Sequence, residues 1–124
     1  MASSSAELHE DPSQLRAETI ERHRATVSVL EELEAIDWYD QRVDATGDAE
    51  LASVLAHNRD EEKEHAVMTL EWLRRRDPVL DRVMRTYLFT SGSILEVEKE
   101  AAGGEAAGGG DGSLGIGSLR GVGR

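Results

Sequence analysis

Apolar residues fall at Val29, Leu33, Ile36 and Val43, with acidic and basic residues between them. That is the spacing of one helix face, and it predicts a helix over about residues 11–44. Asp11 followed by Pro12 marks the start, because Asp accepts from the first free amides and Pro fits the first helical position. Ala45-Thr46-Gly47-Asp48 supplies a turn, in which Gly47 tolerates the positive φ that ends a helix and Asp48 caps the next one. A second helix is predicted over 49–76. It ends in three arginines, whose charge suits the negative end of the helix dipole. So short a loop makes the two helices antiparallel neighbours. Asp77-Pro78 repeats the start signal, and Leu80, Val83, Met84, Tyr87 and Leu88 follow at i, i+3, i+4, i+7 and i+8 of a short amphipathic third helix. Residues 89–100 are ambiguous, with Gly92 interrupting them. The two long helices span roughly 40 to 50 Å at 1.5 Å per residue, too long for one pair to bury alone.

The ends of the chain have a different character. Residues 1–10 are small, polar and without periodicity, and read as an arm outside the fold. The helical domain occupies 11–100. Residues 101–112 are mostly Gly and Ala with a few acids; such a segment buries too little apolar surface to offset its ordering entropy, and reads as a flexible linker. In 113–124 large apolar residues return without a core of their own. Leu114 and Ile116 alternate as in an extended strand, Leu119 follows, and the glycines let the backbone lie close to a groove. This reads as a docking tail.

These signals define an all-α protein, an antiparallel two-helix hairpin plus a short third helix. Composition narrows its chemistry. A formal charge of −11 over 124 residues opposes nucleic acid and anionic lipid, both of which are bound by neutralising phosphate. Cations are the expected partners. The absence of cysteine removes disulfides, thiolate zinc sites and thiol nucleophiles together, so any metal must be held by oxygen and imidazole. No N-terminal apolar run resembles a signal peptide, and no stretch approaches the roughly 20 apolar residues that span a bilayer. A cytoplasmic protein without membrane contact is expected.

The second helix carries one notable row: Leu51, Leu55, Asn58, Glu62, His65, Thr69 and Trp72. It is apolar at both ends and polar in the middle. An ionised carboxylate in a core stripe is costly unless paired or bound to metal, so Glu62 and His65 call for a cation. Three residues apart on a helix, they point to the same side. On the first helix, Glu32 borders the apolar stripe and supplies a second carboxylate. Such ligand sets suit iron or manganese. In four-helix di-iron proteins two helices each give a Glu and the other two each give Glu-x-x-His; this chain holds one of each. Pairing with a two-fold copy completes both the core and the site, making a ferritin-like four-helix dimer. Glu31 and Glu34 sit one turn apart beside Glu32 and could attract cations toward it. Ordinary surface acids explain them equally well. Trp38 and Tyr39 are candidates for orienting the site, with core packing the plainer role for Trp38 and Trp72. His9, His23 and His57 lack a carboxylate companion on an apolar row and stay unassigned.

The runs Glu31-Glu32-Leu33-Glu34-Ala35-Ile36-Asp37-Trp38-Tyr39, His57-Asn58-Arg59-Asp60-Glu61-Glu62-Lys63-Glu64-His65, Met68-Thr69-Leu70-Glu71-Trp72-Leu73 and Arg85-Thr86-Tyr87-Leu88-Phe89-Thr90 closely resemble the encapsulated ferritins. The tail from Gly112 to Arg120 is similar to the cargo-loading peptide of such proteins. The resemblance covers nearly the whole chain, excepting the first ten or so residues and the Gly/Ala linker. It implies a half-ferritin chain that pairs to form a ferroxidase centre, with two iron ions per dimer, and assembles as an annular decamer of five dimers. It also implies iron ligation by Glu32, Glu62 and His65, an accessory entry site at Glu31 and Glu34 with Trp38 and Tyr39 as neighbours, O2 as oxidant, and residence inside an encapsulin shell in whose inner wall Leu114, Ile116 and Leu119 anchor. Mineral storage then belongs to the shell. Two other readings stay open at this level: a non-catalytic helical cargo or adaptor that binds cations loosely, and peroxide-driven or manganese chemistry on the same ligands.

Overall fold

A computed structural model describes residues 7–107 of the chain, in two compact units divided between Leu73 and Arg74. Its described secondary structure is entirely helical. No helix among the described residues is long and apolar enough to cross a membrane.

In the first unit the Asp11-Pro12 signal starts only a 3-10 turn, Pro12–Gln14. The Asp11 carboxylate accepts from the amide and the hydroxyl of Ser13, both at 2.9 Å, and these bonds hold its carboxyl below the ordinary 3.8. Leu15 then turns extended, with its amide closing the turn on the Pro12 carbonyl. The first α-helix, α1, therefore begins at Ala17 and runs to Ala45 without a side-chain cap at Arg16. It ends when Thr46 goes extended at φ −77° and ψ 142°. Gly47 does not adopt a positive φ, so the turn uses a glycine whose freedom it does not need. The cap at Asp48 is as expected: its Oδ1 accepts from the amides of Glu50 and Leu51 at 2.9 and 3.0 Å, starting α2, Ala49–Arg74.

The second unit opens on the other Asp-Pro pair, and here the signal does make an α-helix. Asp77 Oδ1 accepts from the amides of Val79 and Leu80 at 3.1 and 3.0 Å, capping α3, Pro78–Tyr87. Asp81 joins the entry of the unit to its helix: Arg74 donates to its Oδ1, and Arg85 Nε donates to both its oxygens at 3.0 and 3.2 Å. Past α3 the chain reverses through Phe89, which has φ 63° and is fully exposed. The ambiguous stretch resolves into α4, Ile94–Ala107, which packs against α3. This helix extends over 101–107, where a linker is expected from composition. Ala and Glu are strong helix formers, and together they outweigh glycine's cost of about 1 kcal/mol per residue. The remainder of the expected linker and all of the docking tail, with Leu114, Ile116 and Leu119, lie outside the described residues.

The core is thin. Among the described residues only Ala66 and Thr86 are buried. Leu33, in the middle of the α1 stripe, is 52% exposed, and Leu30, Val54, Val67 and Met68 are also exposed. The apolar rows read from the sequence are therefore half-covered faces in one copy of the chain.

Candidate metal centre

The Glu-x-x-His pair sits in the middle of α2, and helix geometry alone brings it together. His65 Nδ1 lies 3.7 Å from Glu62 Oε1. Two bonds of about 2.1 Å to a shared first-row ion, meeting at about 120°, span about the same distance. Glu32 reaches the pair from α1, and one ligand atom from each of Glu32, Glu62 and His65 lies within 4.8 Å of the others. Glu32 and Glu62 are half-buried and His65 is exposed. The sequence-predicted triplet is thus assembled within a single chain.

One atom of this cluster has an unmet need. Glu32 Oε1 is buried and has no hydrogen-bond partner. A carboxylate oxygen removed from water costs free energy unless a donor or a cation faces it. Two carboxylates, one of them with an orphaned oxygen, and an imidazole fit a divalent first-row cation with oxygen and nitrogen ligands.

The other candidates divide. Glu31 is exposed and Glu34 half-buried, and neither joins the ligand cluster. Trp38 is half-exposed and, with Gln41 and Arg42, lines an open cavity of about 360 Å³. The Arg42 guanidinium lies over the Tyr39 ring, 5.5 Å from its centroid. Trp38 therefore faces open space rather than a core. His57 pairs with Glu61 at 3.3 Å, an exposed carboxylate companion one turn along α2 that the apolar-row criterion did not select.

Sequence reasoning also missed an ion-pair chain beside the cluster. Arg59 on α2 donates from Nη1 to Asp40 Oδ1 on α1 at 3.0 Å and from Nε to Asp60 Oδ1 at 3.1 Å. Lys63 approaches the same Asp60 oxygen at 3.3 Å. Hydrogen bonds from Arg59 and then Lys63 hold the Asp60 carboxyl below its ordinary value. Because Asp40 follows Glu32 while Arg59 precedes Glu62, the two cross-helix meetings fix α1 and α2 as antiparallel. The charges of Asp40 and Arg59 are visible in the sequence, but their meeting depends on a helix register that no local pattern encodes.

Fold and site together define an all-α protein whose antiparallel hairpin presents a carboxylate and imidazole cluster of the type built in four-helix metal proteins. Comparison with known proteins makes this specific. The EncFtn-like family model matches residues 7–91. An encapsulated ferritin-like protein of Rhodospirillum rubrum is 62% identical over 130 residues, covering 98% of this chain and 93% of that one. An encapsulin nanocompartment cargo protein of Myxococcus xanthus is 36% identical over 86 residues, 65% of each chain. The crystal structure of a protein from Nitrosomonas europaea matches with a TM-score of 0.68 at 55% identity, covering 70% of this chain and 96% of that one. The chain belongs to the EncFtn-like family and has an all-α, ferritin-like fold.

Proposed function

We propose that this protein is a ferroxidase, active as a pair of chains, that oxidises Fe(II) to Fe(III) with O2. The observation that carries the reading is the cluster of Glu32, Glu62 and His65 with its orphaned Glu32 oxygen. One chain offers two carboxylates and one imidazole; a two-fold copy doubles that to four and two, the set used for two metal ions in four-helix carboxylate proteins. The exposed apolar residues along α1 and α2 give such a pairing its driving force.

Iron is the substrate in this reading, and the chain's residues do four things. The carboxylates of Glu32 and Glu62 attract and hold Fe(II) and, as hard oxygen ligands, favour the ferric product. His65 adds a nitrogen ligand through Nδ1, which requires a neutral ring with its proton on Nε2. Glu31 and Glu34 form an accessory entry site with Trp38 and Tyr39 beside it, within the field of a chain of net charge −11. The electrons pass to O2. The family resemblance supports an annular decamer of five such dimers, and the names of the Rhodospirillum and Myxococcus relatives support a place inside an encapsulin shell, where released Fe(III) is mineralised. Leu114, Ile116 and Leu119 are the proposed anchors to that shell.

Anaerobic Fe(II) titration followed by O2, on the wild type and on Glu32→Ala, Glu62→Ala and His65→Ala, tests the site. Binding of two ions per dimer and rapid oxidation in the wild type, with both lost in all three variants, is expected. Unchanged oxidation in the variants would end the proposal, and a wild type that binds no iron would leave a helical cargo protein. Co-expression of shell protein with a chain truncated at Asp111 tests the tail: the truncated chain should remain outside the shell.

A further inference from the structure

The ligand cluster depends on two different kinds of geometry. Glu62 and His65 are set by one turn of one helix. Glu32 is set by how far α1 has slid along α2. A slip of one turn is about 5.4 Å, more than the 4.8 Å within which the three ligand atoms now lie. The short turn between Ala45 and Ala49 limits that slip at one end of the hairpin; nearer the cluster a directional contact would hold the remaining freedom better than the half-exposed apolar faces, because apolar contact is non-directional.

The Asp40 and Arg59 pair is directional and well placed. Asp40 lies eight residues beyond Glu32, about 12 Å along α1, and Arg59 lies three before Glu62, about 4.5 Å along α2. Opposed antiparallel, the two anchor points differ in level by about 7.5 Å, nearly one and a half turns. A long side chain that leans toward the N-terminus of its own helix covers such an offset. Arg59 does so: its guanidinium reaches Asp40 at 3.0 Å while Asp60 braces it from α2 at 3.1 Å. Its side chain is only 23% exposed, against 58% for Asp40, so much of the Arg59 stem is covered while the ion pair itself stays at the surface. The planar guanidinium, with donors on separate nitrogens, can satisfy both carboxylates at once where lysine could not.

We infer that Asp40 and Arg59 are positioning residues that pin the register of α1 on α2 and so set the distance of Glu32 from Glu62 and His65. The inference rests on the proposed metal-site reading for its functional consequence but not for its structural content. Exposed ion pairs are weak, so the pin adjusts the geometry of the cluster rather than deciding whether the hairpin forms.

Two measurements on the full-length protein test it. The first is titration with Co(II), whose visible absorption reports ligand geometry. Asp40→Asn and Arg59→Met should each weaken binding about two- to fivefold, the range open to such a pair, and change the absorption band. The double variant should be no worse than either single, Asp40→Glu should recover the wild-type spectrum, and Glu21→Gln, which breaks the 3.0 Å pair with Arg24 within α1, should change nothing. The second uses metal-free protein. Since the chain lacks cysteine, nitroxide labels at Thr26→Cys and Glu64→Cys, both exposed positions, diluted with unlabelled chain, give the α1 to α2 distance by pulsed electron resonance. Asp40→Asn should broaden or shift that distance. Wild-type affinity, spectrum and distance in both single variants, or losses that multiply in the double variant, would overturn the pin. If the wild type binds no Co(II), the metal reading fails by itself, and the distance measurement alone decides: an unchanged distance overturns the pin and a broadened one sustains it.

Discussion

Glu32 combines two properties that rarely coexist in a side chain serving only stability. It is half-buried, and its Oε1 has no partner. An acceptor in that position weakens the metal-free fold and becomes favourable only when a cation arrives. Glu32→Gln removes the charge, keeps the shape and adds a donor that can face Glu62. The metal-free variant should therefore unfold at a higher temperature than wild type, by about 1 kcal/mol in stability, while losing Fe(II) binding. Calorimetry and anaerobic titration on the same preparations check the two halves. A variant that is less stable without metal would show that Glu32 is structural. Asp81 works in the opposite sense, as a satisfied acid. Burial pushes its carboxyl up, but hydrogen bonds from Arg74 and Arg85 pull it down by more, leaving it below the ordinary 3.8. With the folded value depressed, the stability it contributes is fully present above pH about 3.8 and is lost as pH falls through the lower folded value. The melting temperatures of wild type and Asp81→Asn should accordingly differ most near neutral pH, begin to approach each other below pH about 3.8 and converge once pH is under the depressed folded value.

At the scale of the element, two identical sequence signals had different outcomes, and the difference is instructive. Asp-Pro occurs at residues 11–12 and 77–78. The second starts an α-helix; the first makes a single 3-10 turn, because the Asp11 carboxylate is taken up by Ser13 and the chain straightens at Leu15. A cap signal states that amides can be satisfied, not how many turns follow. The long helices and the amphipathic α3 were legible because their periodicity spans many residues. The continuation of α4 through Ala107 was not, because a Gly/Ala segment has no periodicity and its state follows from summed propensities. Gly103 gives a direct check: a Cβ there meets nothing within 4 Å. Gly103→Ala should increase helicity by far-UV circular dichroism and stabilise α4 by up to about 1 kcal/mol. The site divides along the same line. Glu62 and His65 were legible from a spacing of three, and Glu32 from its edge position on the stripe. The Asp40 to Arg59 link that brings the two helices into register was invisible until the hairpin was seen.

For the molecule as a whole, the half-set of ligands on each chain has a consequence for mixtures. If a working centre takes its residues from two chains, activity is a property of pairs, and pairs obey combinatorial statistics. In a refolded mixture of wild-type chains with His65→Ala chains, the fraction of intact centres should fall as the square of the wild-type fraction, so an equal mixture keeps about one quarter of the activity rather than one half. A linear dependence would mean that each chain acts alone. In a cell that makes both kinds of chain, damage to a minority of copies would silence a disproportionate share of the centres, so one defective allele would act as a dominant one.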